Sequence, residues 1–295
     1  MGIERVIVVG GGLMGSGIAQ VCAQAGISTT VREVNQALAD KARANITKSL
    51  DKGVEKAKVT PAARDAALTK LSFTTDLGAA KDADLVIEAV VEDLKVKDAL
   101  FKELDAQCAE NTIFASNTSS LVIAEMAAMT KRADRFCGLH FFNPVPLMPL
   151  VEVVRAVRTS DATVATALAF ARALGKEPIV AKDRSGFIVN FLLVPYMLDA
   201  ITALESGVAS VEDIDKGMKL GCGHPMGPFT LLDFVGLDTT LHIAEIFFNE
   251  YHEKRYSAPP LLKRMVTAGW YGKKSGMGFY DYSGKDPVVN PAFRA

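Results

Sequence analysis

The sequence predicts an α/β protein: a doubly wound, mostly parallel sheet with a helical hairpin inserted in it, followed by an all-helical C-terminal domain. Three observations carry this expectation. Through about residue 183 of the 295 residues, short apolar runs alternate with longer helix-like segments, the rhythm of a parallel sheet with crossover helices. Most of the early runs carry little polar alternation, as strands covered on both faces do. Beyond residue 187 the strand signals stop and helical segments take over. The stretch Lys182-Asp183-Arg184-Ser185-Gly186 therefore marks a boundary, with domains expected over 1–184 and 185–295.

The elements follow in order. Candidate strands lie at 5–9, 28–33, 71–75, 84–90, 112–116, 136–141, 150–155 and 178–181, with helices at 13–25, 36–52, 94–107 and 121–128 between them. The segment from Gln36 to Lys70 is too long for a simple crossover and is rich in Lys, Arg, Asp and Ala. It is expected as two helices around Thr60-Pro61, projecting from the sheet; its charge pattern alone fits a solvated surface excursion. In the second domain, 187–204 is apolar on nearly every face and is expected as a buried helix packed against a second subunit. Pro195 within it removes a helical hydrogen bond and is expected to bend it. Further helices are expected at 211–220, 228–249 and 258–268, punctuated by Gly207, Gly221 and Gly236.

Composition excludes several functions. Hydrophobic residues make up 49% and charged residues 23%, with a formal net charge of -1, so the excess of basic residues typical of nucleic-acid binding is missing. Cys22, Cys108, Cys137 and Cys222 are far apart and match no zinc spacing, which fits reduced thiols and no metal site. No apolar stretch is long enough to span a bilayer. The chain runs into Val6-Ile-Val-Val9 with no room for a signal peptide before it. A soluble, cytoplasmic protein is expected.

The strand at 5–9 leads directly into Gly10-Gly11-Gly12-Leu13-Met14-Gly15 and then a helix. This G-x-G-x-x-G in strand–turn–helix context predicts a Rossmann-type dinucleotide site. Gly10 permits the tight turn, Gly12 lets backbone approach a pyrophosphate, and Gly15 lets helix pack on strand. Amides around Leu13 and Met14 then face the phosphates at the helix N-terminus. Glu33, 18 positions past Gly15, can accept hydrogen bonds from the adenosine ribose and would repel a 2′-phosphate. That favours NAD over NADP, although Arg32 beside it softens the preference.

Of four histidines, His140 stands at the end of the strand at 136–141, and ligands of open parallel sheets bind outside the carboxyl ends of strands. A secondary alcohol losing hydride needs a base for its proton, and imidazole titrates nearest that task. Glu152, twelve positions on along the next candidate strand, could accept the ring's other N–H. Spacing alone favours a purely structural histidine over a catalytic one.

Taken together, Gly10–Gly15, Ser116-Asn117-Thr118-Ser119-Ser120, Leu139–Pro144 and Leu150-Val151-Glu152-Val153 resemble the 3-hydroxyacyl-CoA dehydrogenase family. Asp183-Arg184-Ser185-Gly186-Phe187-Ile188-Val189-Asn190, Pro225-Met226-Gly227-Pro228-Phe229, Gly272-Lys273-Lys274-Ser275-Gly276 and Gly278-Phe279-Tyr280 extend the resemblance across almost the whole chain. The short length is like that of stand-alone bacterial 3-hydroxybutyryl-CoA dehydrogenases. The resemblance implies His140 as general base and Glu152 as its orienting partner, with Ser119 and Asn190 on the substrate's 3-oxygen. It implies NAD contacts at Glu92, Lys97, Ser119, Asn143 and Lys274 of the Lys273–Lys274 pair, and coenzyme A contacts at Ser49 and Lys56 in the charged hairpin. It also implies a homodimer through the helical domain, acting on short-chain acyl thioesters in fatty-acid or butyrate metabolism. Where many relatives have arginine after the Gly-Phe-Ile-Val-Asn stretch, this chain has Phe191.

Alternatives stand beside individual residues. Ser119 could cap the helix at 121–128, Asn190 could satisfy backbone within a buried helix, and Glu92 and Lys97 could be solvated charges. Two other functions fit the same frame: a sugar-acid dehydrogenase of the L-gulonate type, and a non-catalytic crystallin-like protein.

Overall fold

The computed structural model describes residues 2–294; Met1 and Ala295, the outer ends of the two expected domains, lie outside the described residues. The chain divides into two compact units, 1–187 and 188–295.

Unit 1 runs β1 (Arg5–Val9), α1 (Leu13–Gln24), β2 (Ser28–Arg32), α2 (Gln36–Glu55), α3 (Pro61–Thr69), β3 (Leu71–Thr74), β4 (Leu85–Glu88), α4 (Leu94–Gln107) and β5 (Ile113–Ser116). It continues through α5 (Ile123–Ala128), β6 (Phe136–Phe141), β7 (Leu150–Arg155), α6 (Asp161–Ala173) and β8 (Glu177–Lys182). All eight strands join one sheet in the order β3-β2-β1-β4-β5-β6-β7-β8. The first six are parallel. β7 turns back antiparallel to β6, and β8 runs parallel to β7.

The unbroken apolar runs have a simple cause: both faces of the sheet are covered. Val6 and Val8 point into a core closed by α1, α2 and α6, where Ile18, Ile46, Leu50 and Phe170 are buried. Ile7 and Val9 point the other way, into a core closed by α4 and α5 around Phe101, Leu104 and Met126. Alternate residues thus feed two cores, and neither face needs polar side chains. The expected hairpin is present. The Asn35 side chain accepts from Leu38 N–H to start α2, and Thr60 accepts from Ala63 N–H, with Pro61 opening α3, a residue whose missing N–H costs nothing there.

Helix α6 falls outside the expected elements. Its alanines blur the 3.6-residue pattern, but Ser160 caps it by accepting from Thr163 N–H. The candidate strand at 84–90 stops at Glu88, whose carboxylate accepts from Val90 N–H at 2.8 Å and turns the chain out of the sheet.

Unit 2 holds α7 (Val189–Glu205), α8 (Val211–Cys222), α9 (Pro228–Val235), α10 (Leu237–Tyr251) and α11 (Pro260–Thr267). A two-stranded antiparallel ribbon, β9 (Tyr280–Asp281) with β10 (Val288–Val289), joins them, which the expected all-helical domain did not include. Other differences from expectation are local. The helix expected at 228–249 is two, broken at Gly236 with φ 103°. Gly221 lies inside α8, and Gly223 ends it at φ 69°. Helix α7 begins at Val189 because Phe187 takes a left-handed conformation, φ 49°; Pro195 sits inside it. Phe191 joins an aromatic cluster with Tyr251 and Tyr256, and the Arg255 guanidinium lies 5.4 Å over its ring.

No helix among the described residues is long and apolar enough to cross a membrane, and no cluster of potential metal ligands occurs among them. Cys22, Cys108 and Cys137 are buried free thiols, and Cys222 is exposed; burial pushes Cys137 up to about 12.

Candidate active site

The glycine loop connects β1 to α1. Gly10 has φ 97°, and a Cβ there would come within 2.6 Å of the Ala89 carbonyl oxygen. A Cβ on Gly15 would sit 1.7 Å from the Gly10 oxygen. Packing therefore demands both glycines. Gly12 is different: a Cβ there would meet nothing within 4 Å, so the fold itself gives no reason for glycine. Open space over a glycine at the start of an α-helix with no side-chain cap suits the approach of a pyrophosphate. Leu13 is 73% exposed beside it, and Met14 packs partly against the core. Glu33, just past β2, reaches back to the loop and accepts from Gly11 N–H at 2.6 Å. These residues fit a dinucleotide with free ribose hydroxyls.

His140 and Glu152 face each other across the β6–β7 pair, in direct register. Opposed residues of an antiparallel pair share one face of the sheet with Cβ atoms about 5 Å apart, which is why a spacing of twelve brings them together. Nδ1 of His140 lies 2.7 Å from Oε2 of Glu152. The carboxylate can only accept, so Nδ1 carries the hydrogen and Nε2 is left to act on a ligand. Glu152 is 0% and His140 5% exposed. The rings of Phe142 and Phe187 lie 4.5 and 5.5 Å from the imidazole, centroid to centroid.

A second buried network closes the ends of β4 and β5. Lys97 on α4, 1% exposed, donates to Glu88 Oε1 at 2.7 Å and lies 3.0 Å from Glu92 Oε2. Glu88 also accepts from Ser116 Oγ at 2.6 Å. Glu92 collects the Ser116–Ser120 turn, accepting from the Thr118 hydroxyl, the Ser119 N–H and the Ser120 hydroxyl. Burial pushes the Glu92 carboxyl up, but the Lys97 charge and these hydroxyls outweigh it and hold it below its ordinary range. Ser119 does not cap a helix: α5 starts at Ile123, and the Asp183 carboxylate accepts from Ile123 and Ala124 N–H at 2.8 and 2.7 Å. Glu92 and Lys97 are not solvated charges either, and the Lys97 ammonium is engaged by two carboxylates.

Asn143 is exposed at the start of the loop joining β6 to β7. Lys176 pins that loop by donating from Nζ to the Val145 and Met148 carbonyls at 2.5 and 2.8 Å, and burial lowers its pKa. Asn117 ties the β5 end to β6 by accepting from Phe141 N–H at 3.0 Å. On α2, Ser49 is half-buried, while Lys56 is exposed at its C-cap. A shallow groove along the same helix is lined by Arg43, Lys48 and Lys52 and by Asp40, Asp51 and Glu55. In unit 2, Asn190 stands half-buried in the first turn of α7, and Lys274 pairs with Asp238 at 2.6 Å. Sequence reasoning missed Glu88, Lys176 and Phe187. Glu88 had a visible signal, an acid ending the apolar run of a strand at its carboxyl edge.

Comparison with known proteins gives this geometry a context. Residues 5–184 match the NAD binding domain of 3-hydroxyacyl-CoA dehydrogenase, and residues 186–282 match its C-terminal domain. The chain belongs to the 3-hydroxyacyl-CoA dehydrogenase family. It is thus an NAD-dependent oxidoreductase. Among family members, the 3-hydroxybutyryl-CoA dehydrogenase of Mycobacterium tuberculosis H37Rv is 54% identical over 282 residues, 95% of this chain and 99% of that one. The human mitochondrial hydroxyacyl-coenzyme A dehydrogenase is 48% identical, over 95% of this chain and 91% of its own. The solved (S)-3-hydroxybutyryl-CoA dehydrogenase PaaH1 from Ralstonia eutropha superposes with a TM-score of 0.92 at 45% identity, covering 96% of this chain and all of that one.

Proposed function

We propose that this chain interconverts (S)-3-hydroxybutyryl-CoA and acetoacetyl-CoA with NAD, and that the His140–Glu152 pair moves the proton. The observation that carries this reading is the 2.7 Å contact between Nδ1 and Oε2, at the carboxyl end of β6 in the same sheet whose β1 leads into the glycine loop. The names of the M. tuberculosis and R. eutropha relatives support the substrate class.

Bound NAD supplies the hydride acceptor and, once reduced, the donor. His140 takes the 3-hydroxyl proton on Nε2 in the oxidation and returns it in the reduction. Glu152 holds the ring in the tautomer that leaves Nε2 free and steadies the imidazolium formed when the proton arrives. Ser119 holds the 3-oxygen, Ser49 and Lys56 receive the coenzyme A moiety, and the family pattern assigns Asn190 to substrate binding. Gly10, Gly12, Leu13, Met14 and Gly15 line the dinucleotide phosphates, Glu33 takes the ribose hydroxyls, and Asn143 and Lys274 serve the nicotinamide end. Glu92 and Lys97 serve the cofactor through the Ser119 turn that they brace.

Losing a general base costs roughly a hundred- to ten-thousandfold in rate. The variant His140→Gln should therefore reduce acetoacetyl-CoA with NADH at least about a hundredfold more slowly, while NADH binding followed by fluorescence stays close to normal. Near-normal turnover would end the assignment. The same reading makes the protein a cytoplasmic homodimer acting in short-chain acyl metabolism, with the apolar α7, whose Leu192 is 61% exposed, as part of the dimer face. Sedimentation equilibrium should give twice the mass of one chain, and a single-chain mass at working concentrations removes the dimer from the proposal.

A further inference from the structure

We propose that Phe187 is a positioning residue for the proton-transfer histidine: its ring, seated against the imidazole of His140, holds the Nε2 edge in one orientation. The inference rests on reading His140 as the group that moves the proton. Two independent observations carry it.

The first is backbone conformation. Phe187 has φ 49°, a left-handed geometry that a bulky residue adopts only where its surroundings over-determine it. The surroundings do so from both sides. Phe187 N–H donates to the Arg184 carbonyl at 2.8 Å, closing the turn behind Gly186, itself at φ 85°. Ahead of that turn, the Asp183 carboxylate is fastened to α5 through the Ile123 and Ala124 amides. The 183–187 segment is thus anchored at its start and bent sharply at its end.

The second observation is where the bend delivers the side chain. The Phe187 ring is 5% exposed and packs with the core on the α4–α5 side of the sheet. Its centroid lies 5.5 Å from that of His140, the rings inclined at 59°. A single hydrogen bond from Nδ1 to Glu152 fixes one corner of the imidazole, whereas the terminal torsion of histidine is broad and soft. The ring can still rock about that corner and swing Nε2 away from a bound hydroxyl. Contact with Phe187, added to that with Phe142 at 4.5 Å, removes this freedom. Strain in the turn is thereby coupled to the alignment of the base.

The test compares Phe187→Leu and Phe187→Ala with His140→Gln in the full-length protein, measuring kcat, KM for NADH and acetoacetyl-CoA, the solvent deuterium isotope effect and the melting temperature. Misplacing a reacting group by about 1 Å costs on the order of a hundredfold, so Phe187→Ala should lower kcat by about ten- to a hundredfold. Phe187→Leu should fall between Phe187→Ala and the parent. KM for NADH should stay within about twofold, and the solvent isotope effect should rise as proton transfer becomes limiting. Phe187→Leu keeps most of the buried volume and decides the matter if Phe187→Ala fails to fold. Parental kcat and isotope effect in a folded Phe187→Leu overturn the proposal, as does a kcat loss that only tracks the unfolded fraction. If His140→Gln is inactive while the Phe187 variants are normal, positioning alone is refuted. If His140→Gln is active, the reading of the histidine falls first.

Discussion

Lys97 shows how a buried charge is accommodated. An ammonium 1% exposed would carry a desolvation penalty of several kcal/mol if alone. Here Glu88 and Glu92 face it from two sides, and each carboxylate has further donors, so no charge or lone pair is stranded. Glu88 is the inner member, touching Lys97, Ser116 and Val90 N–H. Replacing one partner of a buried pair typically costs 3–5 kcal/mol, and retention of Glu92 should keep the cost of Glu88→Gln near about 3 kcal/mol. Denaturant titration reads this directly, and an unchanged midpoint would contradict the bracing role. The exposed pair of Lys274 with Asp238 offers a contrast, being of a kind worth about 1 kcal/mol or less.

Among the elements, α9 and the β9–β10 ribbon of unit 2 are held together by buried acids. Asp233 on α9 accepts from Phe279 and Tyr280 N–H and from the Tyr282 hydroxyl. Asp215 on α8 accepts from Phe229 and Thr230 N–H at the start of α9 and from the Tyr280 hydroxyl. Burial lifts the Asp233 carboxyl to about 6, against the pull of its donors, and the nearby Asp215 charge adds to the rise. A raised carboxyl means that the folded chain binds more proton than the unfolded chain between about pH 4 and pH 6. Its contribution is complete below the unfolded value and is lost as pH rises through about 6. Relative to Asp233→Asn, the parent should therefore lose on the order of 1–3 kcal/mol between pH 4 and pH 7. Urea midpoints at those two pH values give the difference, and parallel pH trends in the two proteins would rule out this titration. In unit 1 the loop between β6 and β7 depends on a cation instead, the Lys176 ammonium gripping two of its carbonyls.

At the scale of the molecule, the elements with a strong periodic signal were legible. Runs such as Val6–Val9, apolar at every position, announce strands buried on both faces, and Thr60-Pro61 announces the break in the hairpin. Strand direction was less legible, because an apolar run reads the same either way. The loop at 142–149 did hold the clue to β7: it is too short for a parallel crossover, which needs a dozen or more residues. Helix α6 was hidden by alanines that suit any face. At the site, the glycine loop, Glu33, His140 and Glu152 could be found because each lies within a recognisable local pattern. Phe187 could not, since its place beside His140 comes from backbone torsion, whereas Glu88 left a trace as the acid that ends the apolar run of β4.

The β6–β7 ladder also acts as a form of quality control. Leu139, Phe141, Val151 and Val153 feed one core from the same two strands that carry His140 and Glu152 on the opposite side. A slip of one residue would send the Glu152 carboxylate to the far side of the sheet and in the same move evict valines from the interior. A chain with a miswired base is therefore also a badly packed chain, so the hydrophobic effect that selects the fold proofreads the chemistry.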